Sequence, residues 1–160
     1  MIYLLGGSFK NTKKNDLWKY DIIKKEWIFL ENNPNFALSG CKISHYNNNL
    51  YIIGGQYDSK NYNQILKYSL INNIISKINC LARLTFGLKN EKENIIGFSP
   101  SCVINNGYLY LCNGTIDGTF SSDEQIDIYK LDDTKDEIYY KQKVFSSLIN
   151  NKIIDCHIIC

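Results

Sequence analysis

Ile2-Tyr3-Leu4-Leu5-Gly6-Gly7 returns as Leu50-Tyr51-Ile52-Ile53-Gly54-Gly55, and again in weakened form as Leu109-Tyr110-Leu111-Cys112-Asn113-Gly114. A second matched run follows each copy: Asp16-Leu17-Trp18-Lys19-Tyr20-Asp21-Ile22, then Gln64-Ile65-Leu66-Lys67-Tyr68-Ser69-Leu70, then Gln125-Ile126-Asp127-Ile128-Tyr129-Lys130-Leu131. The tyrosines keep step. Tyr3 to Tyr20 and Tyr51 to Tyr68 are both 17 residues, and Tyr110 to Tyr129 is 19. Upstream of the second and third copies stand further short apolar runs, 41–46 and 101–105, each followed by an Asn- or Gly-rich turn (47–49, 105–107) of the kind a hairpin needs. The unit therefore marks at least three short strands, with a period of 48 and then 59 residues. A period near 50 built of short strands marks a repeated β-sheet architecture.

Composition narrows the function classes. The chain has 160 residues, 44% hydrophobic and 21% charged, with a formal net charge of +2. That is the range of an ordinary folded domain. Near-balanced charge argues against a nucleic-acid surface, which carries a clustered basic excess. Arg83 is the only arginine, so a guanidinium cluster for bidentate phosphate or carboxylate recognition cannot be assembled. No apolar run reaches the roughly 18–20 residues of a membrane span, and the short run after Met1 stops at Gly6 and Gly7. Membrane and nucleic-acid partners are therefore not expected. The six cysteines, Cys41, Cys80, Cys102, Cys112, Cys156 and Cys160, read as reduced thiols, which points to a cytoplasmic setting.

The diglycines, the run Asn15-Asp16-Leu17-Trp18-Lys19-Tyr20-Asp21 and Trp27, seven residues after Tyr20, together resemble the kelch repeat. The resemblance spans about residues 2 to 154; it is close in the first copy, good in the second and partial in the third. It implies an all-β chain of kelch-type β-propeller blades, each of four antiparallel strands, about three blades in an incomplete ring. Blade one would cover 1–27 and lack its inner strand, blade two 40–78 and blade three 99–140. A fourth would begin at 144–160, and 79–98 would be an inter-blade loop. The missing blades would come from sequence beyond this chain. The implied motif residues are Gly6, Gly7, Trp18, Tyr20, Trp27, Gly54, Gly55, Tyr68, Gly114 and Tyr129. Ile75 stands in the late tryptophan slot of the second copy, and Ile138 or Tyr139 is expected to fill it in the third. Tyr20, Trp27, Tyr68 and Tyr129 are wide enough to fill the widening gap between radiating blades. Trp27→Ala should then cost about 3–5 kcal/mol.

Chemistry is harder to find. His45 aligns with the apolar Ile104 and reads as structural. Cys156, His157 and Cys160 match no zinc spacing, and strand alternation sends His157 to the opposite face from the two thiols. Acidic residues such as Asp117, Asp123, Glu124, Asp132 and Asp133 sit in loops and outer strands without converging. No nucleophile–base pair, phosphate-binding glycine loop or metal motif is visible. The expectation is a non-enzyme without cofactor or metal, a scaffold or adaptor that binds a protein partner. By the kelch resemblance, the partner would meet loops 8–15, 56–63 and 115–123, and the inter-blade segments 28–39 and 79–98. Lys10, Phe36, Tyr57, Tyr62, Arg83 and Phe120 are the candidate contacts on them. The alternative is the propeller of a larger enzyme, galactose-oxidase-like or epimerase-like, or the regulatory kelch region of a serine/threonine phosphatase.

Overall fold

Isoleucine, leucine and tyrosine dominate the repeated runs, and such side chains suit a pleated surface buried on one or both faces. In the computed structural model, which describes residues 1–57, 60–61, 64–80, 101–112, 115–116, 119–120 and 125–145, these runs are all strands. In chain order they are β1 (Ile2–Leu5), β2 (Ser8–Phe9), β3 (Thr12–Lys13), β4 (Asp16–Asp21) and β5 (Glu26–Asn32). Then come β6 (Lys42–Tyr46), β7 (Asn49–Ile53), β8 (Gln56–Tyr57), β9 (Lys60–Asn61), β10 (Ile65–Ser69) and β11 (Ile75–Cys80). The last six are β12 (Ser101–Asn105), β13 (Tyr108–Cys112), β14 (Thr115–Ile116), β15 (Thr119–Phe120), β16 (Gln125–Asp132) and β17 (Glu137–Phe145). Among the described residues the helical content is one 3-10 turn, Pro34–Phe36, capped by the Asn33 side chain. The chain is all-β.

Among the described residues the longer strands form three antiparallel sheets. Sheet one has the order β1-β4-β5; sheet two runs β6-β7-β10-β11 and sheet three β12-β13-β16-β17. A short parallel pairing, Asn79 with Glu137 and Cys80 with Ile138, joins the outer strands of sheets two and three into one eight-stranded run. At the other end of that run the Ile104 N–H donates to Ser44 Oγ at 2.9 Å, so the run nearly closes on itself. The register repeats from sheet to sheet. Ile2 pairs with Tyr20, Leu50 with Tyr68 and Leu109 with Tyr129. Tyr3, Tyr51 and Tyr110 therefore occupy the same place in three successive sheets.

Alternation then decides the packing, because neighbouring side chains on a strand point to opposite faces. In sheet two both faces are covered. Leu50, Ile52, Leu66 and Tyr68 pack with Leu5, Leu17, Phe36 and Leu38 on the sheet-one side. Tyr51, Ile53, Ile65 and Ile78 pack with Ile104, Leu109, Leu111, Tyr129, Leu131 and Ile138 of sheet three. Each fully buried side chain of this kind stabilises by roughly 1.5–3 kcal/mol relative to exposure. Two-residue turns set the hairpins: Asn47 and Asn48 (φ 48° and 58°) and Asn106 and Gly107 (φ 49° and 74°) all take the left-handed conformation. That is the twist-matched turn that asparagine and glycine adopt at least cost.

Several expectations are corrected. Trp27 does not fill a gap between sheets: it lies on the outward face of sheet one, 51% exposed, tilted against Tyr20 at 5.0 Å. Its face has no sheet against it among the described residues, so the width of the indole has nothing to wedge. Sheet one also runs on to Asn32, past the expected end at 27, and 28–32 is strand instead of loop. Asn79 and Cys80 belong to β11, not to a loop, and residues 144–145 finish β17 instead of opening a further sheet. In the third copy the register sets Tyr140 opposite Tyr129, where Trp27 and Ile75 stand opposite Tyr20 and Tyr68. The hairpin turn comes two residues later after Tyr129 than after Tyr20, which carries that partner beyond Ile138 and Tyr139. Gly114, Tyr62, Arg83 and the segments 81–98 and 146–160, with Cys156, His157 and Cys160, lie outside the described residues, as do Asp117, Asp123 and Glu124.

Candidate functional site

Between β1 and β4, between β7 and β10 and between β13 and β16, strands at equivalent places in the three sheets, the chain makes a small two-stranded ribbon: β2 with β3, β8 with β9, and β14 with β15. The three stretches read from sequence as partner-binding loops are thus β-ribbons, each springing from the equivalent place in its sheet. Tyr57 lies in the second and Phe120 in the third, with side chains outside the described set.

The diglycines explain how the ribbons are seated. Gly6 has φ 59°, and a Cβ there would meet the Phe36 carbonyl oxygen at 2.4 Å and that of Leu38 at 2.7 Å. Only glycine lets the connection into sheet two lie so close. Gly55 serves the same end: a Cβ would lie 2.9 Å from Cys41 Cβ and 3.0 Å from its nitrogen. Backbone hydrogen bonds hold the approach, with Gly7 N–H donating to Leu38 O at 2.9 Å and Lys14 N–H to Gly7 O at 3.0 Å. Ser39 then exchanges two backbone hydrogen bonds with Gln56, at 2.9 and 3.1 Å, and its hydroxyl accepts from Lys13. Ser39 thereby ties the first ribbon to the second.

The first ribbon presents its tip to solvent. Lys10 and Asn11 turn it with φ 45° and 64°. Phe9 is 59% exposed, with the Lys10 ammonium 5.4 Å and the Lys14 ammonium 5.9 Å from its ring centre. Phe9 was missed by the sequence reading; its signal is a phenylalanine beside three lysines within the seven residues 8–14. Lys10 is exposed at the ribbon's tip. Phe36 is not: it is wholly buried, edge-on to Tyr68 at 5.8 Å, because the 3-10 turn points it inward beneath Gly6. It is a core residue and not a contact.

A polar cluster lies between sheets two and three. The Tyr51 hydroxyl donates to the Asp133 carboxylate, and Lys67 lies 3.5 Å from Asp133 and hydrogen-bonds Asp136. Burial, reinforced by Asp133, pushes the Tyr51 hydroxyl far above its ordinary pKa. For Asp136 burial acts upward, but hydrogen bonds from Lys67 and Ser76 and the Lys67 charge outweigh it and hold the carboxyl low. For Lys67 burial acts downward, and the two aspartates outweigh it and raise the ammonium. These groups neutralise one another and lock a sheet contact. Cys41 and Cys102 are free thiols pushed by burial to about 11 and about 12. His45 is exposed and stacked on Tyr3 at 6.0 Å. Among the described residues, no three His, Cys, Asp or Glu side chains gather as a metal cage, and no helix is long and apolar enough to cross a membrane.

No family model matches the chain. No curated protein matches it either. Among solved structures it is similar to one titled "Structure of YjhT", with a TM-score of 0.53, 12% sequence identity and 72% of this chain covered. The match takes in 36% of that chain, so the present sequence spans little more than a third of it. At such identity the likeness concerns fold alone.

Proposed function

We propose that the chain is a run of kelch-type propeller blades, an incomplete ring, acting as a non-catalytic protein-interaction module in a cytoplasmic setting. The observation that carries this reading is the set of three β-ribbons at equivalent places in sheets of identical register. Such a row offers a partner several short, rigidly based loops side by side, which is how scaffolds built on repeated sheets bind. Phe9 with Lys10, Lys13 and Lys14 makes the first ribbon apolar at its centre and basic around it. That composition suits an acidic, aromatic-bearing protein segment, with the ring as anchor and the lysines setting orientation and approach rate.

Proximity labelling tests the reading, comparing the intact protein with a Phe9→Ala/Lys10→Glu variant of it. A set of neighbours labelled by the parent and lost from the variant is expected. An unchanged set would remove the ribbons from the binding role.

A further inference from the structure

Each sheet ends, at the opposite end of its strands from the ribbon, in the tight turn that joins its last two strands: 22–25 between β4 and β5, 70–74 between β10 and β11, and 133–136 between β16 and β17. A residue in the left-handed conformation closes each turn: Lys25, Asn73 and Asp136, with φ 56°, 56° and 54°. Side chains brace the turns. Asp21 Oδ1 accepts from the Ile23 and Lys24 backbone N–H groups at 2.9 and 3.1 Å, Asn73 Oδ1 from the Tyr68 hydroxyl at 2.9 Å, and Asp132 Oδ1 from the Thr134 hydroxyl at 2.7 Å. Two residues before each left-handed position stand Ile23, Ile71 and Thr134. Ile23 is 91% exposed and Ile71 79%, with Ile74 beside it at 58%. Sheet two is packed on both faces, so Ile71 stands clear of the core by its place on the turn. Single exposed isoleucines are ordinary; two at one repeat position, held out on braced turns of neighbouring sheets, form a surface that a partner covers.

Charge grades along the row. Lys24 and Lys25 are exposed beside Ile23, while the Asp21 carboxylate is turned in to the backbone. The turn of sheet three sets Asp132, Asp133, Asp136 and Glu137 against Lys135 and the incoming Lys67. The row is thus basic, then apolar, then acidic. An anionic lipid surface gains at the first turn and is repelled at the third, whereas a protein segment can carry both signs.

We propose that this row of turns is a second docking surface, for an amphipathic helix of a partner protein, with apolar residues over Ile23 and Ile71, acidic ones toward Lys24 and Lys25, and basic ones toward Asp132. The surface goes beyond the ribbons and does not depend on what they bind. Sheets packed face to face lie about 10 Å apart, and seven residues of helix rise about 10.5 Å, so positions i and i+7 on one helix face reach both isoleucines. Turns already fixed lose little freedom on binding.

Fluorescence anisotropy of the intact protein with a labelled synthetic helix of about 18 residues tests the proposal. The probe carries leucines along one face, glutamates at its N-terminal end and lysines at its C-terminal end. A dissociation constant on the order of 10 μM is expected, weakened at least about tenfold by Ile23→Glu and by Ile71→Glu. Each variant is checked for a retained β circular-dichroism spectrum, and Ile71→Ser replaces Ile71→Glu if that variant unfolds. Probes with lysines at both ends or glutamates at both ends are expected to bind several-fold more weakly. No binding by the parent, or equal binding by the isoleucine variants, overturns the proposal, and equal affinity for all three probes overturns its charge order. Co-sedimentation of the parent with phosphatidylcholine–phosphatidylserine vesicles, lost in the same variants, would make the row a membrane contact and overturn it as well.

Discussion

The hydroxyl of Tyr51, in the second strand of sheet two, donates to the carboxylate of Asp133, in the outer turn of sheet three, across 82 residues of sequence. Lys67, paired with Tyr51 on the neighbouring strand, reaches the same turn at Asp133 and Asp136. Sheets that otherwise meet through aliphatic side chains are thus aligned at their rim by four polar groups. A hydrogen bond to a charged group contributes about 1.5–3 kcal/mol, and an apolar face alone would let the sheets slide.

That cluster sets a pH dependence. Asp136 is held below its ordinary value, so its contribution is complete above about pH 4 and is lost as pH falls through the lowered folded value. Lys67 is raised, so its share persists up to the ordinary lysine range of about 10.4 and is lost only above it. Urea melts between pH 2 and 7 should show a shallower acid limb for Asp136→Asn than for the parent. Parallel limbs would mean the pair contributes nothing.

Burial separates two aromatic residues that the sequence grouped as important. Phe36 is fully enclosed and touches Tyr68, so Phe36→Ala should cost about 3–5 kcal/mol in denaturant melts. Trp27 lies open, so Trp27→Ala should cost below about 1 kcal/mol, replacing the larger loss its motif position suggested. Equal costs at the two positions would contradict the packing.

The diglycine makes a sharper test still. Both Gly6 and Gly7 have positive φ, 59° and 104°, but a Cβ meets two carbonyl oxygens at Gly6 and nothing within 4 Å at Gly7. Gly7→Ala should cost the conformational strain alone, about 1–2 kcal/mol. Gly6→Ala adds displacement of the Phe36–Leu38 backbone and should exceed 3 kcal/mol, on the order of the largest single-site losses. Thermal melts of the two variants should differ plainly, with Gly6→Ala the lower.

Thiol chemistry reports on the fold without any substitution. Burial pushes Cys41 to about 11 and Cys102 to about 12, so thiolate is scarce at neutral pH. Mass spectrometry after brief alkylation at pH 8 should find both unmodified in native protein and both modified in urea. Rapid native labelling of either would show the sheet contacts there to be open.

Read as a string, the chain announced its repeated strands and its all-β character, while the ribbons and residues 28–32 were read as loops. Tyr3, Tyr51 and Tyr110 mark equivalent places because period-2 alternation and the short turns leave a hairpin only one register that hides its apolar face. Lys10 was placed at an exposed tip for a similarly local reason: a short polar hairpin points outward. What local rules do not carry is which faces meet. Trp27 and Tyr68 look alike in the pattern, yet one is open and the other enclosed, since burial depends on whether another sheet lies alongside. Phe36 looked like a loop aromatic until the bare backbone of Gly6 drew its turn into the core. Asp133 read as an acid of loops and outer strands until a lysine and a tyrosine, more than sixty residues earlier, were stacked above it. Contacts of that separation are made by sheet-on-sheet packing, and no window of neighbouring residues contains them.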